Sequence, residues 1–106
     1  MTGRRVAQTD LYAPMTENDL KQAVLLMARR EGWAVYHVPQ ATMRNGGGAG
    51  YPDLTLARDG EVLWIELKAE KGVLEPQQAK WIAILPASHV IRPSDWYSGR
   101  VAELLA

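Results

Sequence analysis

The stretch Tyr51–Lys68, YPDLTLARDGEVLWIELK, decides the fold. Leu54–Arg58 and Glu61–Lys68 are rich in apolar and β-branched residues. They are joined by Asp59-Gly60, a pair suited to the two-residue hairpin turn because both turn positions take a positive φ. Two antiparallel strands are expected. The run VLWI has no polar interruption, which predicts burial on both faces of the second strand. Strand alternation sets Val62, Trp64, Glu66 and Lys68 on one face and Leu63, Ile65 and Leu67 on the other. Glu66 and Lys68 therefore continue a face that has just been apolar. A lone carboxylate there costs several kcal/mol unless cations or hydrogen bonds compensate it. Asp53 opens the first strand, and pairing around the turn places it within one or two residues of the level of Glu66. Two carboxylates and an ammonium converge at one end of the sheet.

Upstream, Thr16 with Asp19 three residues on has the form of a capping box, and Glu17 lies where the helix dipole favours an acid. Leu20, Val24, Met27 and Ala28 follow at helical spacing, so a helix is predicted over Thr16–Glu31, ended by Gly32. Residues 1–14 carry no period and read as an N-terminal arm; 15–106 read as one domain. Trp33–Val38 is a strand ended by Pro39. Residues 40–50, QATMRNGGGAG, are a glycine-rich loop. Downstream, a helix begins near Pro76 with Ala79, Ile82, Ala83 and Leu85 along one side and stops at Pro86. Ser88–Arg92 is a short strand, and Ser94 caps a last helix through Leu105. The order α-β-β-β-α-β-α predicts an α/β sandwich with a mixed sheet.

The chain has 106 residues, enough for one hydrophobic core. With 47% hydrophobic and 23% charged residues it has the composition of a folded globular domain and not of a disordered tail. There is no cysteine, which excludes disulfides, thiolate metal sites and cysteine nucleophiles. No apolar run approaches the ~20 residues that span a bilayer. Arg4 and Arg5 have no apolar stretch behind them, so no secretion signal is read, and a cytoplasmic location and no membrane partner are expected. Basic and acidic residues balance at 12 each, so net charge names no partner.

The plain account of the strand end is an ion pair, Glu66–Lys68 or Asp53–Lys68. The alternative is a site for a hard divalent cation, Mg²⁺ or Mn²⁺, which binds one or two carboxylates plus substrate phosphate. His37 and His89 lie on separate strands, which argues against zinc. The Gly46–Gly50 segment lacks a phosphate-binding lysine and precedes a strand, so it is not a nucleotide loop. Trp33, Trp64, Trp81 and Trp96 read as core residues, and Tyr51 as packing beside the turn.

Pro52-Asp53 followed by Glu66-Leu67-Lys68 resembles the PD-(D/E)xK signature of restriction-endonuclease-like nucleases. More narrowly, the chain resembles a stand-alone VRR-NUC (virus-type replication-repair nuclease) domain of phage type over roughly Thr16–Arg92. Glu17 matches the family's helix glutamate. Gly50-Tyr51-Pro52-Asp53-Leu54 matches GxPDL, and Glu66-Leu67-Lys68-Ala69 matches E-[VL]-K. Gly72, Leu74, Pro76 and Gln78 match G-x-L-x-P-x-Q, with Glu75 where the family often has Ser or Thr. The resemblance implies an α-β-β-β-α-β core with a mixed central sheet flanked by helices.

By that resemblance Asp53, Glu66 and the Leu67 carbonyl hold Mg²⁺ or Mn²⁺. Glu17 supports a second metal or orients water, Lys68 acts beside the attacking water, and Gln78 holds Lys68 or that water. With three acids committed to metal, 12 basic residues face nine remaining acids, and Arg44, Lys71 and Lys80 with Arg4 and Arg5 can form a DNA-binding rim. No recognition helix is evident, so backbone and shape readout are expected. The implied activity is a metal-dependent, structure-selective DNA endonuclease acting on four-way (Holliday) junctions or flaps, as a homodimer or higher homo-oligomer, in a bacterial or phage-infected cell. A reading from another class is a catalytically silent DNA-binding or assembly module of a replication or repair complex.

Overall fold

The computed structural model describes residues 15–37 and 49–106. The first helix, α1 (Glu17–Arg30), begins as its sequence predicts. Thr16 Oγ1 accepts the Asp19 N–H and Asp19 Oδ2 accepts the Thr16 N–H, both at 3.0 Å, which satisfies two of the helix's orphan donors. Its buried stripe is Leu20, Val24, Leu25 and Ala28. Leu20, Leu54, Ile65 and Leu67 belong to one core cluster, all at 0–1% exposure. Cutting Leu20 to Ala would cost about 2–5 kcal/mol.

The sheet has four strands in the order β1 (Ala34–His37), β2 (Leu54–Arg58), β3 (Glu61–Leu67) and β4 (Ser88–Ile91). β1–β2 and β2–β3 are antiparallel and β3–β4 is parallel, so the sheet is mixed. Asp59 and Gly60 both take positive φ at the hairpin tip, as their sequence requires. β1 and β3 are each slightly shorter than the sequence suggests, and Val38 lies outside the described residues.

Several expectations are corrected. The last helix is two: α3 (Pro93–Tyr97) and α4 (Arg100–Leu105), following α2 (Pro76–Ile84). Gly99 between them has φ +89°, a left-handed conformation that no α-helix contains and that glycine adopts without a Cβ penalty. Moreover, α3 starts at Pro93 with Arg92 in the cap position, its N–H bonded to Asp95 Oδ2 at 2.8 Å, so Ser94 is not the cap. Second, β3 is not buried on both faces throughout. Leu63, Ile65 and Leu67 are buried on the α1 side; on the other side Val62 is exposed, Trp64 half-buried and Glu66 buried. Cover on that side thus increases toward the strand's C-terminal end, where α2 lies. α2 itself has no fully buried residue, against its expected apolar side. Of the four tryptophans only Trp33 is fully core; Trp64, Trp81 and Trp96 are half-buried.

Candidate functional site

The PD turn is positioned by close approach and by aromatic clamping. Gly50 has φ +81°, and a Cβ there would lie 2.6 Å from the Gln77 carbonyl carbon, so glycine alone lets this turn lie against the first turn of α2. Trp81 Nε1 donates to the Ala49 carbonyl at 3.1 Å, and the Tyr51 and Trp81 rings meet edge to face at 4.9 Å. Trp64 Nε1 donates to the Tyr51 hydroxyl at 2.7 Å. Tyr51 therefore ties β3 to α2 across the turn. Pro52 is fully buried beneath it.

Asp53 follows directly. Since Leu54 pairs with Ile65, one further step sets Asp53 opposite Glu66. Asp53 Oδ2 accepts the Leu67 N–H at 2.8 Å. Burial nevertheless raises its pKa; the Leu67 bond opposes this, Glu17 adds to it, and Lys21 and Lys68 oppose it. Leu67 has its side chain in the core and its N–H on Asp53.

Glu66 is the one buried charged residue among those described, at 3% exposure. Its Oε2 accepts Gln78 Nε2 at 2.9 Å and has Lys68 Nζ 3.9 Å away. A carboxylate satisfied by its ammonium partner would titrate low. Instead Glu66 is pushed up to about 8, first by burial and then by the charge of Asp53, which Lys68 offsets only in part. The ion pair anticipated from the strand alternation exists but leaves negative charge at the site uncompensated.

Gln78 joins the site through Glu66. Its Oε1 accepts the Glu75 N–H at 2.8 Å at the start of α2, which turns its NH₂ toward Glu66 and not toward Lys68. Glu17, the first residue of α1, is exposed and acts on both Asp53 and Glu66 through its charge. Among the described residues no group of three or more acidic or histidine side chains is gathered closely enough to hold a metal ion. The converging pair is thus Asp53 and Glu66, with Glu17 farther out. Two carboxylates with unrelieved repulsion fit a hard dication that completes its shell with water and phosphate.

Lys71 and Lys80 are exposed. Lys80 is two residues from Gln78, about 200° round the helix, so it faces away from Glu66. Arg44 and Gly46–Gly48, like Arg4 and Arg5, lie outside the described residues. His37 is exposed; burial and Arg100 lower the pKa of His89 on β4, remote in chemistry from the acids.

Three contributors, Lys21, Arg92 and Glu70, escaped the sequence reading. Lys21 stands one helical turn from Glu17, and that spacing was the available signal. Arg92 Nη1 donates to the carbonyls of Ala69 and Gly72 at 3.1 and 2.8 Å, tying down the turn after Lys68. Glu70 Oε1 accepts the Ser94 N–H at 2.8 Å from the same side. Partners that are backbone atoms leave no trace in a residue pattern.

The order Glu17, Pro52-Asp53, Glu66-x-Lys68, Gln78 on this topology agrees with a comparison against known families, where the VRR-NUC domain matches residues 5–92. The chain belongs to the VRR-NUC family. A solved structure described as a VRR_NUC domain protein is similar to it, with 26% identity, 84% of each chain covered and a TM-score of 0.60. No curated protein matches it. As a VRR-NUC domain the chain has a nuclease-type fold, and the family points to DNA phosphodiesters as its substrate class.

Proposed function

We propose that this VRR-NUC domain is a metal-dependent DNA endonuclease whose active site is the open end of the β2–β3 hairpin. The supporting observation is Glu66: buried, opposite Asp53, and held near pKa 8 despite a lysine and an amide on the same oxygen. A fold that only bound DNA would gain nothing from this cost.

Asp53, Glu66 and the Leu67 carbonyl would hold Mg²⁺ or Mn²⁺, with Glu17 orienting water from farther out. When bound, the ion supplies Lewis-acid polarisation of the phosphate and a nucleophile near neutral pH. The chain's own residues do the rest. Gln78 fixes the rotamer of Glu66, so the carboxylate stays aimed at the site. Lys68, half-buried beside Glu66, stabilises negative charge developing on the phosphoryl oxygens, and such a pre-positioned cation needs no reorganisation during the reaction. The aromatic clamp and Arg92 hold the two segments carrying Asp53 and Lys68.

Selection is by DNA shape and backbone geometry, contacts to phosphate and sugar carrying no base sequence directly. Branched DNA, a four-way junction or a flap, is the proposed substrate. Symmetric cutting of a junction needs two sites, which a homodimer provides. The test is cleavage of supercoiled, flapped and four-way DNA with Mn²⁺, with Mg²⁺ and with EDTA, alongside the mass in solution. Metal-dependent cleavage with preference for a branched form is expected. Binding without any product would mark a silent assembly module instead.

A further inference from the structure

We infer that Val73 is an apolar wedge that enters the base stack beside the cleaved phosphate, with Lys71 next to it on a neighbouring phosphate. This rests on the nuclease reading above and names the device by which that site selects branched DNA.

The turn after β3 folds back on the site. The Gly72 N–H donates to the Ala69 carbonyl at 3.0 Å, and a Cβ placed on Gly72 would touch Lys68 Cδ at 3.4 Å. The backbone of the turn thus lies along the stem of the lysine whose ammonium is 3.9 Å from Glu66. Val73 is one Cα step, ~3.8 Å, beyond that contact. Its side chain therefore stands within a few base-pair steps, ~3.4 Å each, of a phosphate that Lys68 meets.

A lone exposed apolar side chain is ordinary on a protein surface. Val73 differs in what holds it. At 74% it is the most exposed large hydrophobic residue among those described. Yet three hydrogen bonds brace the turn that carries it to the junction of β4 and α3. Arg92 Nη1 donates to the Ala69 and Gly72 carbonyls at 3.1 and 2.8 Å, and Glu70 Oε1 accepts the Ser94 N–H at 2.8 Å. Valine is itself stiff at χ1. A rigid apolar group aimed outward loses little entropy on insertion between bases. Lys71, two residues away on the same turn, is exposed and has no ion pair within 4.0 Å among the described residues. The turn thus presents a wedge and a cation side by side. Parting stacked base pairs is costly in a continuous duplex and already done at a junction or flap, so the wedge favours a branch.

The experiment compares wild type, Val73→Ser, Val73→Leu and Lys71→Gln. Substrates are a four-way DNA with 2-aminopurine at the branch and a linear duplex of the same sequence. Fluorescence on binding is read in Ca²⁺ across salt concentrations, and single-turnover cleavage in Mn²⁺. Wild type should raise the 2-aminopurine signal, which grows when the base is unstacked. Val73→Ser should lose that rise and lower the rate ratio of four-way to linear DNA about tenfold at an unchanged Tm, with Val73→Leu keeping both. Lys71→Gln should reduce the slope of log affinity against log salt by about one. No rise with bound wild type overturns the inference, as does a wild-type signal and rate ratio in Val73→Ser. A lowered Tm in Val73→Ser also overturns it, by making Val73 a packing residue. An unchanged salt slope in Lys71→Gln overturns the paired contact. Wild-type binding without cleavage sinks the nuclease reading, while the fluorescence of Val73→Ser still judges the wedge. No binding by wild type sinks both.

Discussion

The two ends of one hairpin solve the problem of charge in opposite ways. At the tip of β2–β3, Arg58 lies 4.2 Å over the Trp33 ring and donates to the carbonyls of Glu31, Leu105 and Ala106. Trp33 Nε1 also reaches the Leu105 carbonyl, at 3.0 Å. One cation thus caps the C-terminal ends of α1 and α4, where the helix dipoles are negative and the last carbonyls have no helical partners. That end is satisfied. At the other end Asp53 and Glu66 face each other with raised pKa values and one lysine at the margin of ion-pair distance. The first arrangement stabilises the fold; the second opposes it, a cost that the dication of the proposed function would offset. Residues at the first end should matter for stability and not for chemistry, and residues at the second the reverse.

The largest test of that division is catalytic. Asp53→Ala, Glu66→Ala or Lys68→Ala should each raise the barrier by several kcal/mol, with each ~1.4 kcal/mol a tenfold loss in single-turnover rate. The folded domain should survive, and the Glu66 variant should resist urea better than wild type at high pH. Wild-type cleavage by a folded Lys68→Ala protein would remove Lys68 from the chemistry.

Next is pH. The folded chain keeps a proton on Glu66 up to about 8, against an ordinary value of 4.5, so between these values it holds more protons than the unfolded chain. Stability of the metal-free domain is then greatest below the lower value and falls as pH rises through the upper one, by at most ~1.4 kcal/mol per unit. Mn²⁺, replacing that proton, should raise Tm more at about pH 8 than at about pH 5.5. A metal-induced shift equal at both pH values would contradict the unrelieved repulsion at this end.

Arg58→Ala should cost about 2 kcal/mol in urea denaturation, through lost charged hydrogen bonds and ring contact, with an unchanged single-turnover rate below its melting point. A loss of rate equal to the loss of stability would dissolve the contrast between the two ends. The smallest effect expected is Tyr51→Phe, which removes the acceptor for Trp64 Nε1 and should cost about 1 kcal/mol with a modest fall in rate. A rate loss as large as that of Asp53→Ala would place the Tyr51 hydroxyl in the reaction itself.

Much of this was legible in the residues. The Asp59-Gly60 turn and the alternation of VLWIELK predicted a hairpin with Glu66 on a covered face. The Thr16–Asp19 box located the first helix turn. These features depend on neighbours within a few positions, and local sterics and hydrogen bonding decide them wherever the segment ends up. The break at Gly99 was less visible, because a glycine within an apolar helical period reads as tolerated until a φ of +89° excludes it. Gln78 was picked out from the family pattern, but its bond to Glu66 was not legible, since its amide is oriented by the Glu75 N–H at 2.8 Å.

By itself the sequence determined which groups carry charge, which strand face each occupies and how the hairpin is registered, because backbone periodicity and turn chemistry act at short range. Only the tertiary structure decided what those charges experience. Seating α1 and α2 against opposite sides of the sheet buried Glu66, brought Lys21 to bear on Asp53, and left the acids with less compensation than their number requires. Desolvation and Coulomb energy depend on distances between segments far apart in the chain, and those distances exist only after folding.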